Sequence, residues 1–218
     1  MNPYYDQDGI TLYCGRCDDI LADLGRFDLL LTDPPYGIGM DKGFGIGGYG
    51  IDGKKRTTYN TRQYDDKWDN ARPDKGVIDA MLASCDRHVI WGGNYLSGLL
   101  PQKNKWLVWN KEQTMPSYSD CELAWTTLKG NSVKMFTYAG NGMMAKEKGR
   151  FHPTQKPVAL MRWCIGVAGD VASILDPYAG SGSTLVAAKL EGIRAIGIEI
   201  SERYCEKIVG RLSQGVLF

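Results

Sequence analysis

"ILDPYAGSGSTLVAAKLEG", Ile174 to Gly192, is the stretch whose reading decides the fold. Its opening residues continue a short, mostly apolar run from Ala172, as a strand covered on both faces requires. The run stops at Asp176 and Pro177, breaks at Gly180-Ser181-Gly182 and resumes from Ser183 with helical spacing. Beyond it, "RAIGIEI" (Arg194 to Ile200) reads as a second strand carrying Glu199 at its end. Strand, acid, glycine turn, helix, strand and acid, in that order, form a nucleoside site in a Rossmann-like sheet. Gly180 and Gly182 let backbone approach a ligand, the helix start offers free N–H groups, and Glu199 suits a pair of ribose hydroxyls. The turn is too short for the phosphate-binding G-x-G-x-x-G, because Thr184 and Leu185 follow it, and it has no P-loop Gly-Lys-Ser/Thr. A nucleoside without a pyrophosphate fits better than NAD or ATP.

The same alternation runs outward along the chain. Strands are expected at Gly9–Gly15, Phe27–Asp33, Arg87–Gly93, Lys105–Asn110, Cys121–Leu128 and Ser132–Tyr138. Helices are expected at Asp74–Cys85, Pro157–Ala168 and Glu202–Leu212. The whole predicts one α/β domain over residues 1–218, a doubly wound, mostly parallel sheet. The two strands flanking Gly130-Asn131 have no helix between them and read as an antiparallel hairpin at one sheet edge. Residues 37–70 are rich in Gly, Lys, Asp and Tyr without periodicity, long for a plain loop, so a functional insertion is expected.

Bulk properties narrow the classes. With 43% hydrophobic and 23% charged residues the chain is an ordinary globular one. No run of apolar residues is long enough to span a bilayer, and "MNPYYDQDGI" does not begin like a secretion signal, so a cytoplasmic protein is expected. Six irregularly placed cysteines read as reduced thiols. Cys14-x-x-Cys17 has no second pair and the chain holds two histidines, so no metal is expected. A net charge of +1 does not advertise nucleic acid, which would have to be held by local patches.

A second junction repeats the first. "LLLTDPPYGIG" (Leu29 to Gly39) ends an apolar strand in Asp33, Pro34, Pro35 and Tyr36. Together, "DPPYGIG", "HPTQKPVALM" (His152 to Met161) and "DPYAGSGST" (Asp176 to Thr184) resemble the motifs of the DNA amino-methyltransferases. The early catalytic motif and late glycine turn resemble the circularly permuted β group, and "WGGNYL", "WLVWNKE" and "SDCELAW" look like the small phage- and prophage-encoded members. The resemblance covers nearly the whole chain, from about Leu12 to Val209.

The resemblance implies a Rossmann-like methyltransferase fold and transfer of a methyl group from S-adenosylmethionine to an exocyclic amine of a base in DNA. It also implies a restriction-modification setting, in a bacterium or a phage-infected host. Asp33, rather than the serine more often found in cytosine-N4 enzymes, favours adenine N6. That amine is a poor nucleophile because its lone pair is delocalised into the ring. The Asp33 carboxylate and the Pro34 carbonyl, accepting its two N–H bonds, would free the lone pair; Pro35 stiffens the turn and Tyr36 stacks on the flipped base. The cofactor site implied is Asp33, Asp176, Tyr178, Ala179, Gly180, Ser181, Gly182, Thr184, Glu199 and Ile200. His152, Thr154 and Lys156 would lie along the methionine part, although His152 can also simply shape a loop. Where the family often has an acid near the cofactor adenine this chain has Arg16, leaving Asp18 or the Cys17 backbone for that contact.

Two basic groups suit DNA phosphates: Lys54, Lys55, Arg56 and Arg62 in the long insertion, and Lys146 with Lys148 before the second motif. Each can equally be solvated charge. Residues 110–120 are a further candidate for base contact. Two rival classes stay open, a catalytically dead nucleic-acid-binding subunit and an RNA-modifying enzyme. Little chain lies outside the catalytic sheet, so a homodimer is expected, with the apolar helix Pro157–Ala168 as either its contact or plain core.

Overall fold

A computed structural model of the chain describes residues 2–38, 71–113, 119–139 and 155–214. Contacts divide the chain into a main unit, Met1–Pro34 with Asp74–Phe218, and a second unit, Pro35–Pro73. The second unit coincides with the glycine-rich stretch expected as an insertion in a single domain. Within it Gly37 has φ +71°, and a Cβ there would stand 3.0 Å from the Arg72 nitrogen, so only glycine closes the base of the segment without strain.

In the main unit the described residues form one sheet. Its strands are β1 (Tyr5–Gln7), β2 (Ile10–Cys14), β3 (Phe27–Thr32), β4 (Cys85–Trp91), β5 (Trp106–Asn110), β6 (Cys121–Thr126), β7 (Lys134–Thr137), β8 (Ser173–Asp176) and β9 (Arg194–Glu199). Their order is β1-β2-β9-β8-β3-β4-β6-β5-β7. The helices are α1 (Cys17–Ile20), α2 (Lys75–Ala83), α3 (Val158–Ala168), α4 (Ser183–Leu190) and α5 (Glu202–Ser213).

Helices cover both faces, and β3 shows why its sequence is unbroken leucine. Leu29 and Leu31 point into a core with Leu160, Cys164, Leu185 and Ile208 from α3, α4 and α5. Leu30, one residue out of phase, packs in a second core with Ile20, Ile78 and Met81 from α1 and α2. The apolar face of α3 therefore belongs to the core: Leu160, Met161, Cys164 and Ile165 are all buried.

The pairing around Gly130-Asn131 corrects the sequence reading. β6 and β7 flank that turn but are not partners. β6 lies antiparallel between β4 and β5, while β7 runs parallel to β5 at the edge. The antiparallel hairpin at a sheet edge is instead β1–β2, with Gln7 opposite Ile10. Asp8 and Gly9 turn it with φ of 52° and 76°, the two left-handed positions a tight hairpin turn demands.

Candidate active site

β3 and β8 are parallel neighbours, yet β3 leads through α2 to β4 on one side and β8 through α4 to β9 on the other. That divergence opens a crevice at the carboxyl ends of the two strands, the usual ligand position in such sheets. Asp33 follows β3, Asp176 ends β8 and Glu199 ends β9, so three acids stand on adjacent strand ends.

Asp176 is buried and ties the two junctions together. Its Oδ1 accepts from the Thr32 hydroxyl at 2.7 Å and from the Tyr178 amide at 3.2 Å. Burial raises its pKa to about 6 in spite of those donors, and the charge of Asp33 pushes the same way. Glu199 organises the glycine turn from the other side. One carboxylate oxygen accepts from the Gly180 amide at 2.8 Å and the other from Ser201 at 2.9 Å, while burial lifts its pKa to about 7. Each oxygen keeps a second lone pair that a hydroxyl could use.

The two turn glycines have different reasons. Gly182 caps α4 with φ +77°, and a Cβ there would meet the Ile208 side chain at 2.9 Å, so packing against α5 requires it. Gly180 has φ +54° and, among the described residues, nothing nearer its Cβ position than the Tyr178 carbonyl at 3.9 Å. Among those residues the space at Gly180 is open. Ala179 donates to the Ile198 carbonyl at 2.9 Å, Thr184 reaches the Leu31 carbonyl at 3.4 Å, and Arg211 of α5 donates to the Ser181 carbonyl. Ile200 is 61% exposed, an apolar side chain directly beyond the acid that holds the turn. An open glycine cradle, an acid with spare lone pairs and an exposed apolar neighbour fit an adenosyl group.

Lys156, expected along the methionine part of a cofactor, is engaged by two acids of the protein itself. Its ammonium is buried, engages the Asp33 carboxylate and stands 3.0 Å from Oε2 of Glu122. Lys111 pairs with the other oxygen of Glu122 at 2.6 Å. Burial works against the charge on Lys156, but Asp33 and Glu122 outweigh it and hold its pKa above the ordinary lysine value. Burial likewise opposes ionisation of Glu122, and the two lysines reverse that and hold it below the usual carboxylate range. Sequence reasoning missed Glu122, Lys111, Thr32 and Arg211. Only Glu122 left a trace, a lone acid inside the apolar strand "CELAW".

Cys17 opens α1 and is buried, and Asp18 is paired with Arg16 at 2.6 Å on the surface. Pro34 is buried at the end of the main unit, and Pro35 and Tyr36 belong to the second unit. His152, Thr154, Lys54, Lys55, Arg56, Arg62, Lys146 and Lys148 lie outside the described residues. Among the described residues no group of three or more His, Cys, Asp or Glu could hold a metal ion, and no helix is long and apolar enough to cross a membrane.

Fold and site define a Rossmann-like protein whose glycine turn is flanked by carboxylates, an arrangement that could hold a nucleoside. The family model described as DNA methylase, of the N6/N4 type, matches residues 99–210, just over half of the sequence, and the chain belongs to that family. The Type II methyltransferase M.ScaI of Streptomyces caespitosus is 26% identical, over 96% of this chain and 83% of that protein. A shorter stretch of 62 residues, 28% of this chain, is 44% identical to the DNA adenine methyltransferase YhdJ of Escherichia coli (strain K12) and spans 21% of it. Among solved structures, the PvuII DNA methyltransferase (cytosine-N4-specific) matches with a TM-score of 0.65 at 13% identity, over 99% of this chain and 90% of that one, a likeness of fold.

Proposed function

We propose that this chain moves a methyl group from S-adenosylmethionine to the N6 amine of adenine in DNA. The observation that carries the reading is the placement of Asp33, lysine-paired, just past the end of the strand beside the glycine turn. Gly180, Glu199 and Ile200 would hold the adenosyl part. Bound there, S-adenosylmethionine supplies an electrophilic methyl group. The protein's own residues do the rest. Asp33 accepts one amine N–H and the Pro34 carbonyl accepts the other, so the nitrogen lone pair is released from the ring toward the crevice. Tyr36 stacks on the flipped base, and the fixed sheet edge keeps amine and donor in line.

The cytosine-N4 enzyme shares this fold, so architecture does not choose between the bases. The aspartate at position 33 supports adenine, as does the local identity to an adenine-specific relative. The basic residues Lys54, Lys55, Arg56, Arg62, Lys146 and Lys148 are assigned to DNA phosphates, and two copies are taken to share the grip on a duplex. Incubation with tritium-labelled cofactor and DNA oligonucleotides tests the reading. Label should enter DNA with the parent protein and fall by at least about a hundredfold with Asp33→Ala. Equal incorporation by the two proteins would remove Asp33 from the chemistry.

A further inference from the structure

Inside the sheet β6 runs against both of its neighbours, and the reversal has a chemical consequence. β4 and β5 present their last residues at the carboxyl edge of the sheet, where Asp33 stands. β6 runs against both, with Trp91 opposite Ala124 and Asn110 opposite Cys121. Its first residues therefore share that edge, and Glu122 reaches it from the start of a strand rather than the end. Between β3 and β6 lies β4, too wide a gap for Glu122 and Asp33 to touch directly. Lys156, arriving from the segment before α3, fills the gap and binds both. The result is an alternating row, Asp33, Lys156, Glu122, Lys111, with its last ammonium 5.2 Å from the centroid of the Trp109 ring.

We infer that Glu122 is a positioning residue for the methyl transfer, acting on Asp33 through Lys156. This inference rests on the catalytic role proposed above for Asp33. A lysine held by Asp33 alone would place its whole charge on the carboxylate that must accept the substrate amine, and would compete with that amine. Glu122 takes a share of the ammonium and holds it from the far side. Asp33 thus keeps its orientation and stays a good acceptor. Lys111 in turn keeps Glu122 ionised and aimed, so no charge in the row is left uncompensated, which burial would otherwise penalise heavily. Among the described residues Asp33 and Glu122 face Lys156; behind them stand Asp176, whose charge is felt at Asp33, and Lys111.

Glu122→Gln tests this, because glutamine keeps the shape and leaves the Asp33–Lys156 pair in place. The variant is compared with the parent and with Asp33→Asn in the intact chain. The readouts are kcat on DNA, cofactor affinity by calorimetry, and kcat from pH 6 to 10. Expected is a fall in kcat of about tenfold with cofactor affinity unchanged. The shape of the pH profile should also change. With one carboxylate gone, Lys156 gives up its proton at lower pH and Asp33 then loses the cation that orients it, so activity declines on the alkaline side where the parent's does not. Glu122→Asp, which restores the charge, should recover the parent's alkaline limb. A loss that lowers the whole profile without moving its limb, or a kcat equal to the parent's, overturns the inference while an inactive Asp33→Asn leaves the proposed function standing. An active Asp33→Asn overturns both.

Discussion

Asp176 carries a pH dependence that can be worked out from its surroundings. A carboxyl whose pKa is raised by folding binds its proton more tightly in the folded chain than in the unfolded one. Its contribution is present in full below the unfolded value of 3.8 and is lost as pH rises through about 6. At pH 8 the buried carboxylate is a liability. Asp176→Asn retains the Oδ1 acceptor for Thr32 and Tyr178 and removes the charge. Relative to the parent, the variant should gain about 1.4 kcal/mol of stability between pH 5 and pH 8. Glu199 and the buried His88, whose pKa burial lowers, titrate in both proteins and largely cancel in the difference. Denaturant melts at the two pH values measure it, and a difference constant with pH would show that Asp176 is not strained by its charge. Asp33, Asp176 and Glu199 were legible as candidate site residues because each ends an apolar run, where an acid has no packing purpose. Glu122, Lys111 and Arg211 were not, because what gives them meaning is a partner distant in sequence.

Among the elements, the glycine turn separates two kinds of requirement. Both Gly180 and Gly182 are left-handed, so an alanine at either incurs backbone strain. Only at Gly182 does the added methyl also strike α5, through Ile208. Gly182→Ala should therefore lose about 2–3 kcal/mol in urea denaturation. Gly180→Ala should lose about 1 kcal/mol and keep the fold, while its affinity for S-adenosylmethionine falls at least about tenfold, because the methyl enters the open space. Unchanged calorimetric affinity in Gly180→Ala would place the cofactor elsewhere. The strands and the longer helices were legible from their apolar runs and helical spacing. β1 escaped because Tyr5-Asp6-Gln7 is short and polar, although Asp8-Gly9 marked the turn. The place of β6 was illegible for a deeper reason: apolar alternation along Cys121–Thr126 shows that a strand exists but says nothing of which neighbours it joins or in which direction.

For the whole molecule, the described sheet is closed over by its own helices, and α3 spends its apolar face on the core rather than on a second copy. The homodimer proposed for gripping a duplex must then use other surfaces. Light scattering of the protein with cofactor and DNA should give two chains of 24.2 kDa each in addition to the mass of the DNA, and one chain per complex under all those conditions ends that proposal. The central claim is narrower and concerns one atom of one base. It is tested most directly by methylating duplex DNA with tritium-labelled S-adenosylmethionine, digesting the product to nucleosides and separating them. The account predicts that the label travels with N6-methyldeoxyadenosine and is absent when Asp33→Ala replaces the parent. Label travelling with N4-methyldeoxycytidine would contradict the reading of Asp33 as an adenine determinant, and no label in DNA would contradict the account as a whole.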